Sequence, residues 1–225
     1  MVMRDEVDRK AFILKRGQYD DKGEEVDPGL PEAFSPVPEG ESLTRLDLAR
    51  WLVDEEHPLT SRVFVNRIWE QFFGTGIVKS SENLGRQSDW PSHPQLLDWI
   101  AVDFVESGWD VKGLIRAIVM SRSYRQSSII DEERLQRDPE NRLLSRGPRT
   151  RLQAEMLRDQ ALFLSGLLVE RVGGPSWWVY QPAGLWLEVE KRGTFEQDHG
   201  EKLYRRSLYS RIRRTVAPPS MLLFD

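Results

Sequence analysis

The sequence predicts a mainly α fold, an irregular bundle of about five helices with an extended N-terminal arm and a loop-rich C-terminal third. Two observations carry this. Between Ser42 and Leu168, apolar residues recur at helical spacing in five segments, each bounded by a capping residue, Gly or Pro. The first forty residues, and the stretch from Gly173 to Tyr204, are instead rich in Gly and Pro with no sustained period. At 225 residues, a chain of this kind buries roughly 70% of its unfolded surface, so a core is available without staples.

In chain order, "AFILKRG" is a short strand candidate, and "YDDKGEEVDPGLPEAFSPVPEGES" reads as an extended linker, so residues 1–41 are a lead-in and 42–225 the helical domain. Ser42 or Thr44 caps a first helix with Leu43, Leu46, Leu48, Ala49, Leu52 and Val53 as its apolar positions, ended by the turn at Pro58. Thr60 caps a second, in which Val65, Ile68, Trp69, Phe72 and Phe73 form the apolar face and Gly74 takes the left-handed C-terminal position. The third runs from about His93 to Ser107, with Ser92 and Gln95 at capping-box spacing and Pro94 in the first turn. Asp110 caps the fourth, whose Val111, Leu114, Ile115, Ile118 and Val119 make the clearest amphipathic stripe in the chain. Thr150 and Gln153 form a capping box for a long fifth helix carrying Leu152, Met156, Leu157, Ala161, Leu164 and Leu168, which Gly173 and Gly174 stop. "RRSLYSRIRR" fits a strand or a helix.

Composition removes several function classes. There is no cysteine, which excludes disulfides, thiolate metal sites, thiol nucleophiles and covalent attachment of a c-type haem within these residues. The net charge of −4 and pI near 5.6 give no overall attraction to nucleic acid or anionic membrane. No apolar run approaches the ~20 residues of a membrane span, and the N-terminus lacks the apolar core of a signal peptide. The apolar end, "PPSMLLFD", suggests a domain truncated at its C-terminal end. No P-loop, G-x-S-x-G or G-x-G-x-x-G motif occurs.

Four residues are candidates for catalysis. His93 is one of three histidines; near a positive helix end its imidazole is kept neutral as a base, although the capping reading explains Ser92, Pro94 and Gln95 together without that role. Glu155 and Asp159 share a face of the fifth helix at i,i+4, a spacing that serves acid and base or an ion-paired surface. Arg67 lies beside Asn66 and Glu70 in the second helix. The histidines have no H-x-x-x-H or H-x-H spacing, so no metal site or other cofactor is expected in this chain. For ligand binding, Trp177, Trp178, Tyr180 and Trp186 concentrate in one Gly- and Pro-containing loop, a stacking surface for sugar rings or simply a packed anchor, with Lys191 and Arg192 nearby to pair with an acidic polysaccharide. Arg122 and Arg125 offer an anion contact, or only the exposed end of a helix. Six basic residues between Lys202 and Arg214 make nucleic-acid binding a weaker alternative, since Leu203, Leu208, Tyr209 and Ile212 interrupt them as in a half-buried element.

Several segments are familiar in this order: "LDLARWLVDEEHPLTSRVFVNRIWEQFFGTGIV", "PSHPQLLDWIAVDFVESGWDVKGLIRAIVMSRSYRQSS", "DPENRLLSRGPRTRLQAEMLRDQAL", "GGPSWWVYQPAGLW" and "RRSLYSRIRRTVAPPSMLLFD". They resemble planctomycete-specific domain one, domain-of-unknown-function family 1553. The resemblance implies a module of a large exported, periplasmic or cell-surface protein with upstream domains, among them a second planctomycete-specific domain and a cytochrome-like domain whose C-x-x-C-H motif holds haem c. It also implies a further helical segment beyond Asp225. It carries no catalytic residues across, and the tryptophans of "PSWW" depart from the smaller apolar residues expected there. A binding or scaffolding module is therefore the leading reading. An enzyme acting on polysaccharide through carboxylate acid and base is the alternative.

Overall fold

The computed structural model describes residues 10–31, 34, 43–182, 184–185, 196–213 and 216–224. Among them are eight helices and one two-stranded sheet, and the fold is mainly helical with irregular packing. No helix among the described residues is long and apolar enough to cross a membrane. The chain divides into two compact units, Met1–Thr150 and Arg151–Asp225.

The first unit opens with an antiparallel hairpin of β1 (Ala11–Leu14) and β2 (Lys22–Val26). The strand expected at "AFIL" is present, but part of the expected linker is its partner. Arg16 and Gly17 turn the chain with φ of 52° and 75°, and Gly23 passes so close to Ile13 that a Cβ would lie 2.8 Å from its carbonyl oxygen. "KGEEV" has no apolar alternation to betray a strand; side-chain pairing helps hold it, through Lys10–Glu25 at 2.9 Å and Lys22 over the Phe12 ring.

Helices α1 (Arg45–Leu52), α2 (Thr60–Phe73), α3 (Pro94–Glu106) and α4 (Val111–Met120) follow, with single-turn α5 (Arg122–Arg125) and short α6 (Glu132–Arg137). Val65, Trp69 and Phe73 of α2 meet Leu97, Ile100 and Phe104 of α3 and Leu114 and Ile118 of α4 around Ile77 and Val78. Each such side chain, taken fully out of water, contributes roughly 1.5–3 kcal/mol. Phe64 stacks on Phe104 and Trp69 on Phe73, with centroids 5.1 and 4.2 Å apart.

The helix ends agree with the sequence in places. Thr44 and Asp47 form a reciprocal capping box on α1, Asp110 accepts from Gly113 N at α4, and Gly74 ends α2 with φ 79°. Three expected caps are corrected. Thr60 is the first residue of α2 rather than its cap; the His57 ring serves there, Nδ1 accepting from Leu59 N and Thr60 N at 3.3 and 3.1 Å. Ser92 does not cap α3, because its N–H and hydroxyl both donate to Ile77 O and His93 is the N-cap, without a side-chain bond to the first turn of the helix. The Thr150–Gln153 box is absent too, since the helix begins only at Ala154.

Two loops complete this unit. Asn66, fully buried, accepts from Val78 N and donates to Val78 O and Ser81 Oγ, which fixes the segment after α2; a Cβ on Gly76 would strike its amide at 2.6 Å. Arg142 donates to Gly76 O and Ile77 O, while buried Asp138 accepts from Arg142 N and Leu143 N. The 138–146 loop is thus held by side chains where no periodic secondary structure exists.

In the second unit α7 (Ala154–Leu164) is shorter than the spacing predicts, closed by Gly166 at φ 72°. Gly173 and Gly174 do not stop it. Instead they turn a loop wrapped on buried Arg205, whose guanidinium donates to the carbonyls of Arg171, Gly173 and Pro175 and lies 4.2 Å from the Tyr209 ring centroid. "RRSLYSRIRR" is neither sustained strand nor α-helix: a 3-10 turn at Ser207–Tyr209 is flanked by isolated bridges Val169–Arg205 and Trp177–Ser210. A last helix, α8 (Pro219–Leu222), ends the described chain.

Candidate functional site

The segment 177–181 alternates in burial. Trp177, Val179 and Gln181 are buried, Trp178 is half-buried and Tyr180 is 62% exposed, the pattern of an extended strand. Trp177 N donates to Tyr209 O and Arg211 N to Trp177 O, while Trp178 N donates to Asp198 Oδ2 at 2.8 Å, so the segment is held from both edges. Alongside it opens a cleft of about 230 Å³, lined by Arg158, Trp177, Val179, Tyr180, Gln197 and Leu203 and closed by Pro219, Ser220 and Met221. The cavity beside His93 in the first unit is far smaller, about 10 Å³, room for a single water.

Of the four aromatic residues singled out from sequence, Trp177 and Tyr180 line the cleft. Trp178 is covered by Arg211, whose guanidinium is 4.1 Å from the ring centroid. Trp186, Lys191 and Arg192 lie outside the described residues. Trp177 is 4% exposed, and its indole N–H is buried without a hydrogen-bond partner among the described residues. Above it sits Arg158, 4.7 Å from the ring centroid.

The position of Arg158, on α7 beside Asp159, does not follow from sequence spacing. Its guanidinium donates to Leu203 O, Arg205 O and Ser207 Oγ, and Asp159 approaches at 3.5 Å. Burial holds its pKa below the ordinary arginine value, with Asp159 acting in the opposite direction. Asp159 in turn accepts from Ser207 N at 2.7 Å. The carboxylate proposed as acid or base thus anchors the chain after α7. Glu155 is half-buried on the same helix without a hydrogen bond or ion pair among the described residues.

The other two catalytic candidates belong to the first unit. Arg67 is exposed on α2. His93 Nδ1 lies 3.0 Å from Ser92 Oγ, and its ring borders the small cavity with Glu140 and Arg142. Among the described residues, no group of three His, Asp or Glu side chains could hold a metal ion. Arg122 and Arg125 are exposed on α5, a separate turn capped by Ser121 rather than an extension of α4.

The basic run of the C-terminal third is largely committed. Lys202 pairs with Asp198 at 2.6 Å, Arg206 reaches Glu170 at 4.0 Å, Arg205 is buried and Arg211 covers Trp178. Lys202, then the Trp178 N–H, hold the Asp198 carboxyl below its ordinary pKa.

A mainly helical, loop-rich domain with an aromatic cleft in its second unit is the class these features define. The chain belongs to the PSD1 family, proteins of unknown function (DUF1553), whose model matches residues 44–225. No curated protein and no solved structure matches it significantly.

Proposed function

We propose that this chain is a non-catalytic binding module that takes a glycan in the cleft beside Trp177 and Tyr180, within a larger exported, cytochrome-associated protein. The cleft carries the reading: it has room for a sugar ring, an aromatic and aliphatic lining, and few polar groups, the usual make-up of a small-ligand site. Export, upstream domains and a haem c on one of them rest on the family resemblance alone. Acidic polysaccharide is the ligand if Lys191 and Arg192 contribute to the site. The binding reading is tested by titrating intrinsic tryptophan fluorescence with neutral and sulfated oligosaccharides, in the wild type and in Tyr180→Ala. Saturable binding weakened by that substitution supports it, and no binding to either class sinks it. The setting is tested on the full gene product. A signal peptide and a C-x-x-C-H motif are expected upstream, and a cytoplasmic protein lacking both would refute it.

A further inference from the structure

Resting on the cleft as the glycan site, the geometry points to a neutral sugar face, rather than an anionic glycan, as what the described part of that cleft recognises. The argument is one of charge. Arg158 is the only ionisable cation among the described lining residues; three of its five N–H donors go to Leu203 O, Arg205 O and Ser207 Oγ, and the Asp159 carboxylate 3.5 Å away offsets its charge. A sulfate or carboxylate entering here meets a guanidinium whose charge Asp159 already offsets, and is itself repelled by that carboxylate.

The groups left to a ligand are neutral. The Gln197 amide and the Ser220 hydroxyl line the cleft without a hydrogen-bond partner among the described residues. Together they offer donors and acceptors of the kind that pair with sugar hydroxyls. The apolar surface is correspondingly placed: Tyr180 is well exposed and shares the cleft lining with Val179 and Met221, giving the C–H face of a pyranose an aromatic partner. A neutral polyol with one apolar face satisfies both sets of groups, whereas an anion meets a half-buried guanidinium already paired with Asp159.

The test pairs cellohexaose and laminarihexaose with their sulfated counterparts, by calorimetry on the full chain at about 50 and 500 mM salt. These concentrations correspond to strong and weak electrostatic interaction between exposed charges. At least one neutral oligosaccharide is expected to bind more tightly than its sulfated form, with an affinity that changes little with salt. Gln197→Ala and Ser220→Ala should each weaken it by about 2- to 10-fold, the equivalent of one hydrogen bond. Unchanged thermal midpoints would show that the fold is kept. Binding confined to sulfated chains and abolished by high salt overturns the neutral assignment and leaves the glycan module standing. Neutral binding indifferent to both substitutions overturns the placement of the sugar in this cleft. Absence of binding to all four overturns the glycan reading itself.

Discussion

His57 closes the start of α2 with a ring nitrogen where a hydroxyl or carboxylate usually serves. Nδ1 accepts from two backbone N–H groups, which assigns the ring proton to Nε2; that atom is buried without a hydrogen-bond partner among the described residues, while the ring stands edge-on to Trp51 at 4.4 Å. His57→Ala should therefore destabilise the protein by about 0.5–2 kcal/mol, the range of a lost N-cap, and His57→Asn by less, because its amide oxygen can accept from the same donors. Equal losses in urea unfolding would show that ring packing, not capping, is what His57 supplies. Arg205 illustrates a second use of side chains for backbone. It is 5% exposed and has no ion pair among the described residues; the carbonyls of Arg171, Gly173 and Pro175 face its charge. Arg205→Met keeps the apolar stem and removes the bonds to those carbonyls, at roughly 0.5–1.5 kcal/mol for each bond lost. The 171–176 loop should then become a site of protease nicking. A lowered unfolding midpoint with unchanged loop cleavage would place the loss elsewhere.

At the scale of elements, what was legible in the sequence was what repeats. The apolar stripe of α4, the Thr44 and Asp110 caps and Gly74 follow from local rules and are present. What was not legible depends on distant partners. Ser92 has the spacing of a cap but is drawn to Ile77 O, β2 has no apolar alternation, and the 138–146 loop is set by Arg142 reaching residues 76 and 77. The cleft is in the same position: Trp177 and Tyr180 stand out as aromatics, whereas Arg158, Gln197 and Ser220 come from three other segments that no motif joins. The strand-like segment 177–181 has its own test. Trp177 anchors it by volume while its indole N–H has no partner among the described residues, so Trp177→Ala should cost about 3–5 kcal/mol, the usual range for deleting a buried aromatic. Trp177→Phe loses part of the ring but also removes an unsatisfied donor, and should cost much less. Comparable losses for the two in denaturant unfolding would mean that the indole N–H is satisfied.

For the whole molecule, charge is arranged to be lost on acidification. The Thr44 hydroxyl holds Asp47 below its ordinary pKa, Lys79 does the same for Glu140 at 2.7 Å, and Lys202, with the Trp178 N–H, for Asp198. A carboxyl with a lowered folded-state pKa binds fewer protons folded than unfolded, so stability rises with pH through that range. The contribution is fully present above the unfolded carboxylate values of about 4 and is lost as pH falls through the lower folded-state values. Glu140 is exposed and Asp47 and Asp198 are half-buried, so each is a small term that solvent and salt screen in part. The urea midpoint should therefore owe no slope to these three between pH 6 and 8 and fall below about pH 4. Glu140→Gln and Asp198→Asn keep hydrogen-bonding oxygens but remove the titration. Together they should lower the midpoint at pH 7 and leave less to lose on acidification, shrinking the difference between pH 6 and pH 3. A double variant with the full wild-type acid loss would show that other groups govern it. Glu140 is absent from the lining of the cleft, so oligosaccharide affinity at pH 7 should survive Glu140→Gln alone, separating the charge that stabilises the protein from the neutral surface proposed to bind.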